Sequence, residues 1–219
     1  SGVVQTAATG VGTARRSLAG VTFGDDKAIF GYGYAGSYSS LTNLVSNSGV
    51  VATDTSGVGS TRESLAATTY GSSGQALFGY GDTGSASSLT NLISNTGVVS
   101  ADVTGVGTAR GELAAAAYGG DKGIFGYGVG NKSMTNLVSN TGVVATDVSG
   151  VGTGRKLLAA CAYGGDKAIF GYGNNAGGGS GSDLSLTNLV NNNGVVAADV
   201  TGVGTARRVL AAVGFSFSA

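Results

Sequence analysis

Apolar residues along the chain fall in short runs, typified by ELAAAAYG, KGIFGYG, MTNLVSN and GVVATDVSG between residues 112 and 150, each bounded by glycine, aspartate, asparagine or serine. Such runs predict strands: they are rich in β-branched and aromatic residues, and the residues between them supply positive φ or side-chain-capped turns. Leu-Ala-Ala alone favours helix on propensity, but the runs are too short and too glycine-punctuated to carry one. Together the four runs predict a four-stranded meander.

The meander repeats. GVGTARRSLAG at 10 to 20 returns as GVGSTRESLAA at 57 to 67, GVGTARGELAA at 105 to 115, GVGTGRKLLAA at 150 to 160 and GVGTARRVLAA at 202 to 212. The marker leucines Leu18, Leu65, Leu113, Leu158 and Leu210 stand 47, 48, 45 and 52 residues apart, so the unit is constant except for a loop of changing length. The units run 14–61, 62–109, 110–154 and 155–206, with residues 1–13 and 207–219 left to close the array as one repeat domain. A small sheet cannot bury both faces alone, so repeated sheets must stack, and radial stacking makes a β-propeller.

Strand alternation in KAIFGYG at 27 to 33 sends Ala28, Phe30 and Tyr32 to one face and Ile29, Gly31 and Gly33 to the other. Bulky residues of one sheet are then expected to fill the glycine-thinned face of the next, again at Phe78 and Tyr80, Phe125 and Tyr127, and Phe170 and Tyr172. The arginine-to-leucine and GVV runs occur five times, whereas FGYG and TNL occur four times. The expected fold is therefore all-β, with five blades and a composite, incomplete closing blade. Four blades, or an open or oligomeric ring, are the alternatives, because an unpaired strand at either end invites association with another copy.

The order R-x-x-L-A-A-x-x-Y-G, K-A-I-F-G-Y-G, N-L-V-S-N-T-G resembles the kelch repeat over nearly the whole chain. The Gly31, Tyr32, Gly33 triplet stands where kelch units carry a glycine pair, and the characteristic tryptophan is missing. The wording is also similar to kelch-like arrays in tail-fibre and related virion proteins of aquatic bacteriophages. That resemblance implies a virion or extracellular setting.

Composition narrows the chemistry. Forty-two glycines and no proline suit a protein of many tight turns. Twelve basic residues balance twelve acidic ones, so no basic field exists to attract nucleic acid or anionic lipid. No apolar run approaches the length of a membrane span, and no membrane insertion is expected. Cys161 is the single cysteine and histidine is absent, so no zinc-type ligand set or cysteine–histidine nucleophile is available, and Cys161 occupies a small packing position. The glycine strings lack the phosphate-loop signatures. No cofactor, metal or catalytic residue is expected, and the chain is read as not an enzyme.

Two sets of residues stand out. Arg15, Arg62, Arg110, Arg155 and Arg207 recur, with Asp54, Asp102, Asp147 and Asp199 eight residues before the last four, while the first copy has Ala7 instead. A charge pair repeated in every unit stabilises the unit, here by pinning the connection between blades. The alternative is a charged ring around a channel. Asn43, Asn91, Asn136 and Asn188, with Asn47, Asn95, Asn140 and Asn192, fit turn architecture. Specific recognition is expected in the loops that differ between units, 34–40, 82–88, 129–133 and 174–185, at Tyr34, Tyr38, Asp82, Asn131, Asn174 and Asn175. These readings point to a non-enzymatic module for attachment, or for recognition of a glycan or protein, with self-association open. An intracellular kelch-type adaptor for a protein partner is the alternative.

Overall fold

A computed structural model describes residues 6–175 and 183–214. The described chain is all-β and contains no helix, hence none long and apolar enough to cross a membrane. It forms four antiparallel three-stranded sheets. The first comprises β1 (Ala19–Phe23), β2 (Lys27–Gly31) and β3 (Thr42–Val45). The second comprises β4 (Ala66–Tyr70), β5 (Gln75–Gly79) and β6 (Thr90–Ile93). The third comprises β7 (Ala114–Tyr118), β8 (Lys122–Gly128) and β9 (Lys132–Val138). The fourth comprises β10 (Ala159–Tyr163), β11 (Lys167–Gly171) and β12 (Thr187–Val190).

Each first hairpin closes on a tight turn. Phe23 pairs with Lys27 across residues 24–26, where Gly24 (φ 57°) and Asp25 (φ 68°) take the left-handed conformation that such turns need. The GVV run, expected as a fourth strand, joins its sheet through isolated bridges instead. Val45 pairs with Val51 and Thr42 with Thr55, and the same two contacts recur in the other units. Three residues, 52–54, lie between these bridges against two on β3, so the run bulges after Ala52, whose N–H still donates to Leu44 O, and Asp54 leaves the ladder.

The sheets stack in chain order through their first strands: β1 against β4, β4 against β7, β7 against β10. The fifth arginine-to-leucine run, expected as a strand, forms none over 207–214 but lies against the fourth unit, with Gly173 N–H donating to Arg207 O at 3.0 Å and Val209 N–H to Leu157 O at 3.0 Å. The ring-closing segments expected from the sequence extend to residues 1–5 and 215–219, which lie outside the described residues, as do loop residues 176–182.

The phenylalanine rings do pack on glycines, but tyrosine does not share their face. Phe78 lies over Gly31, Phe125 over Gly79 and Phe170 over Gly126, so closely that an added Cβ would come within 2.5, 2.6 and 2.7 Å of the ring. Tyr32, Tyr80, Tyr127 and Tyr172 have φ of 65°, 64°, 66° and 64°. A left-handed residue breaks the two-residue alternation, so Tyr32 turns to the Gly31 face and meets Phe78 edge-on at 5.1 Å. Phenylalanine therefore projects toward the preceding sheet, and glycine with tyrosine forms the socket for the next. Ile29, Tyr32, Leu65, Ala76 and Phe78 form one buried cluster at the first junction, and two equivalent clusters follow.

Candidate functional site

Arg15, Arg62, Arg110 and Arg155 are each the hub of their own unit. Arg62 is fully buried. Its Nε donates to Tyr80 O at 3.0 Å, one Nη to Ser60 O at 3.2 Å and the other to Asn91 Oδ1. The guanidinium lies 4.3 Å from the ring centre of Tyr32 in the preceding sheet. Arg110 repeats this with Tyr127 O, Thr108 O, Asn136 Oδ1 and the Tyr80 ring. A buried guanidinium is tolerated here because its donors find acceptors and an aromatic face covers its plane. In the fourth unit Arg155 Nη2 and Asn188 Oδ1, the corresponding pair, are not joined.

The aspartates pair differently from the sequence reading. Arg15 meets Asp54, 39 residues later, at 3.3 Å, and Arg62 and Arg110 meet Asp102 and Asp147 at 3.6 and 3.9 Å. Each pair lies within one unit, joining the start of the first strand to the GVV run, while the link between units is the arginine–tyrosine stack. Asp199 stands at the matching place for Arg155 and feels its charge without a direct ion pair, so the arginine with no aspartate at the matching place is Arg207, and Ala7 is no break in the first copy. None of these charges lines either of the two hollows that the five copies of the leucine-containing run share.

The aspartates also tie down the loop before each arginine. Asp54 accepts from the Thr13 hydroxyl at 2.7 Å and amide at 2.9 Å and from Asn43 Nδ2 at 2.9 Å, and these bonds hold its carboxyl at about 2. At Asp102, Asp147 and Asp199 burial pulls upward, but bonds from Ser60 and Asn91, Thr108 and Asn136, and Thr153 and Asn188 outweigh it and leave each below its ordinary value. A carboxyl lowered on folding stabilises above its unfolded value of about 4 and loses that contribution as pH falls through the folded value. The thermal midpoint is thus expected to be flat above pH of about 5 and to fall steadily from about 4 toward 2. Asp102→Asn should give a shallower fall, followed by circular dichroism.

Inward of the arginines, Ser17, Ser64, Glu112, Leu157 and Val209 occupy the left-handed region at φ of 53° to 55°. Ser64 N–H donates to Ser17 O, Glu112 to Ser64 O, Leu157 to Glu112 O and Val209 to Leu157 O, at 2.9 to 3.0 Å, so one backbone chain links all five copies. The five marker leucines follow directly and line a hollow of about 350 Å³ together with Glu112. Behind it, Val21, Thr68, Ala116, Cys161 and Val213 contribute to a cavity of about 500 Å³. Burial raises the Cys161 thiol, which keeps it protonated and inert near neutral pH.

The variable loops stand on the rim beside the leucine hollow. Tyr34 pairs through its backbone with Arg16, Asp82 with Glu63, Val129 with Gly111 and Asn174 with Lys156. Tyr34 and Tyr38 meet edge-on at 5.7 Å, and the Arg16 guanidinium lies 4.9 Å over the Tyr34 ring. Tyr38 hydroxyl donates to Asp82 at 3.3 Å, linking the first two loops, and burial followed by the Asp82 charge raises its pKa. Asn131 Nδ2 donates to Asn175 O, linking the third loop to the fourth, while Asn174 Nδ2 donates to Asp183 at 2.7 Å. Lys156 forms an ion pair with Glu112 at 2.8 Å without hydrogen-bond alignment.

The structure thus brings Tyr34, Tyr38 and Asp82 together, and Asn131 with Asn175. It adds a position that the sequence reading missed, the residue after each recurring arginine: Arg16, Glu63, Gly111, Lys156 and Arg208. The signal was present, since this position is Arg, Glu, Gly, Lys and again Arg across the five copies, between an arginine and a leucine that do not change. No protein-family model matches the chain, and no curated protein matches it in sequence.

Proposed function

We propose that the chain is a kelch-like β-propeller with five blade positions, used as a non-catalytic scaffold whose rim binds a glycan or protein on a virion or extracellular surface. The ring reading is supported by five copies of one leucine around a single hollow and by sheets that stack consecutively through their first strands. The observation that carries the binding reading is the division of labour between positions. Arginine, asparagine and aspartate are spent on the unit's own backbone, whereas side chains change from copy to copy along the rim, where Arg16, Tyr34, Tyr38 and Asp82 form one aromatic and polar cluster. Tyrosine beside arginine and carboxylate offers a flat apolar face with donors and acceptors at its edge, which suits a sugar ring.

A glycan array tests this directly. The expected result is binding that Tyr34→Ala and Tyr38→Ala reduce at least tenfold while the thermal midpoint changes little. Binding to no glycan, or binding indifferent to both substitutions, would remove this reading of the rim.

A further inference from the structure

The stack has two unlike open ends, and each lacks what the other junctions possess. At one end Phe30 is 42 % exposed, whereas Phe78, Phe125 and Phe170, its counterparts, are wholly buried in their sockets. Phe30 lines an open groove with Val11, Arg15, Leu18 and Asn43, and Arg15 carries no tyrosine ring where Arg62, Arg110 and Arg155 each do. At the other end no described residue fills the Gly171 socket: among the described residues a Thr187 methyl at 3.4 Å is the nearest contact to an added Cβ, whereas a phenylalanine fills Gly31, Gly79 and Gly126. Arg207 already stacks on Tyr172 at 4.3 Å. Among the described residues its guanidinium makes a single hydrogen bond, to Thr205 O at 3.4 Å, so the tyrosine carbonyl that Arg15, Arg62, Arg110 and Arg155 use and the asparagine amide that the first three use are missing.

The missing groups form one list: a phenylalanine for Gly171, an asparagine and a tyrosine carbonyl for Arg207, a glycine for Phe30 and a tyrosine ring for Arg15. In this fold those groups come from one piece, the second hairpin of a unit, where Phe125 pairs across the strands with Asn136 and is followed by Gly126 and Tyr127. We infer that the open position is a docking site for a β-hairpin of this same repeat type carried by another polypeptide, which inserts between the fourth sheet and the first. The extended segment 207–214, which is not paired as a strand among the described residues, then supplies the inner edge on which the hairpin pairs, as β7 does for β8. This rests on the five-position reading and is independent of any rim ligand.

The probe is a synthetic peptide of residues 120–140, the unit with the shortest connection between its strands, titrated into the full chain by calorimetry. The expected result is saturable one-to-one binding, weakened at least tenfold by Phe125→Ala in the peptide. Gly171→Val in the chain, which fills the socket without a backbone clash, is expected to weaken binding equally while leaving the unfolding midpoint unchanged. Absence of binding to the folded chain would overturn the proposal. So would binding indifferent to both substitutions, or a dimer of the chain that excess peptide fails to dissociate. Absent binding with Phe30 still exposed to solvent refutes the hairpin alone, whereas a buried Phe30 in the isolated chain refutes the five-position ring.

Discussion

Phe125→Ala is expected to lower the unfolding free energy by about 3–5 kcal/mol, and Phe30→Ala by about 1 kcal/mol or less. The two phenylalanines occupy the same position in their units and differ in what lies against them. Phe125 is enclosed by Gly79, Tyr80 and the second sheet, so truncation leaves a cavity that a rigid glycine backbone cannot collapse to fill. Phe30 has water on one side. Glycine substitutions should mirror this contrast with opposite signs. Gly126→Ala pushes a methyl within 2.7 Å of the Phe170 ring and should destabilise by about 1–3 kcal/mol. Gly171→Ala meets nothing closer than 3.4 Å among the described residues and should be neutral or stabilise by about 0.5 kcal/mol through the unfolded chain. Urea titrations of the four variants read all of these values.

The arginines give the second large contrast. Arg110→Met keeps most of the side-chain volume but removes donors from Tyr127 O, Thr108 O and Asn136 Oδ1 and leaves the Asp147 carboxylate without its cation. Stranding buried acceptors costs more than the bonds were worth, and a loss of about 3–5 kcal/mol is expected. Arg207→Met removes one long bond and a stack at an exposed position, and a loss of about 0.5 kcal/mol is expected. Equal losses at the two sites would mean that Arg207 is engaged as Arg110 is. The open end would then not be open.

Much of this arrangement was legible in the sequence because it is a matter of period and size. The recurrence of leucine fixed the unit, and the glycine of FGYG announced a surface on which something large must rest. Three features were not legible, each because the backbone departs from its regular form. Tyrosine is a poor candidate for positive φ, and with glycine on both sides nothing marks Tyr32 as the residue that flips, so Phe30 and Tyr32 were assigned one face. Asp54 stands eight residues before Arg62, which makes that arginine its evident partner. The bowed GVV run instead carries Asp54 back to Arg15. Ser17, Ser64, Glu112, Leu157 and Val209 share neither size nor charge, so no residue-type signal points to the left-handed conformation they have in common. The candidate rim was legible as variable loops, while the facing position after each arginine emerged only when the backbone pairs were seen.

The central claim is a stack of equivalent sheets in which each phenylalanine fills the glycine socket of the preceding sheet and one phenylalanine, Phe30, is left over. Fluorine NMR of the chain labelled with 4-fluorophenylalanine, with the Phe30, Phe78, Phe125 and Phe170 signals assigned by single substitutions and exposed to a soluble paramagnetic agent, tests it most directly. The account predicts strong broadening of the Phe30 signal and little change in the signals of Phe78, Phe125 and Phe170. A Phe30 signal as protected as the other three, or broadening shared by all four, would contradict it.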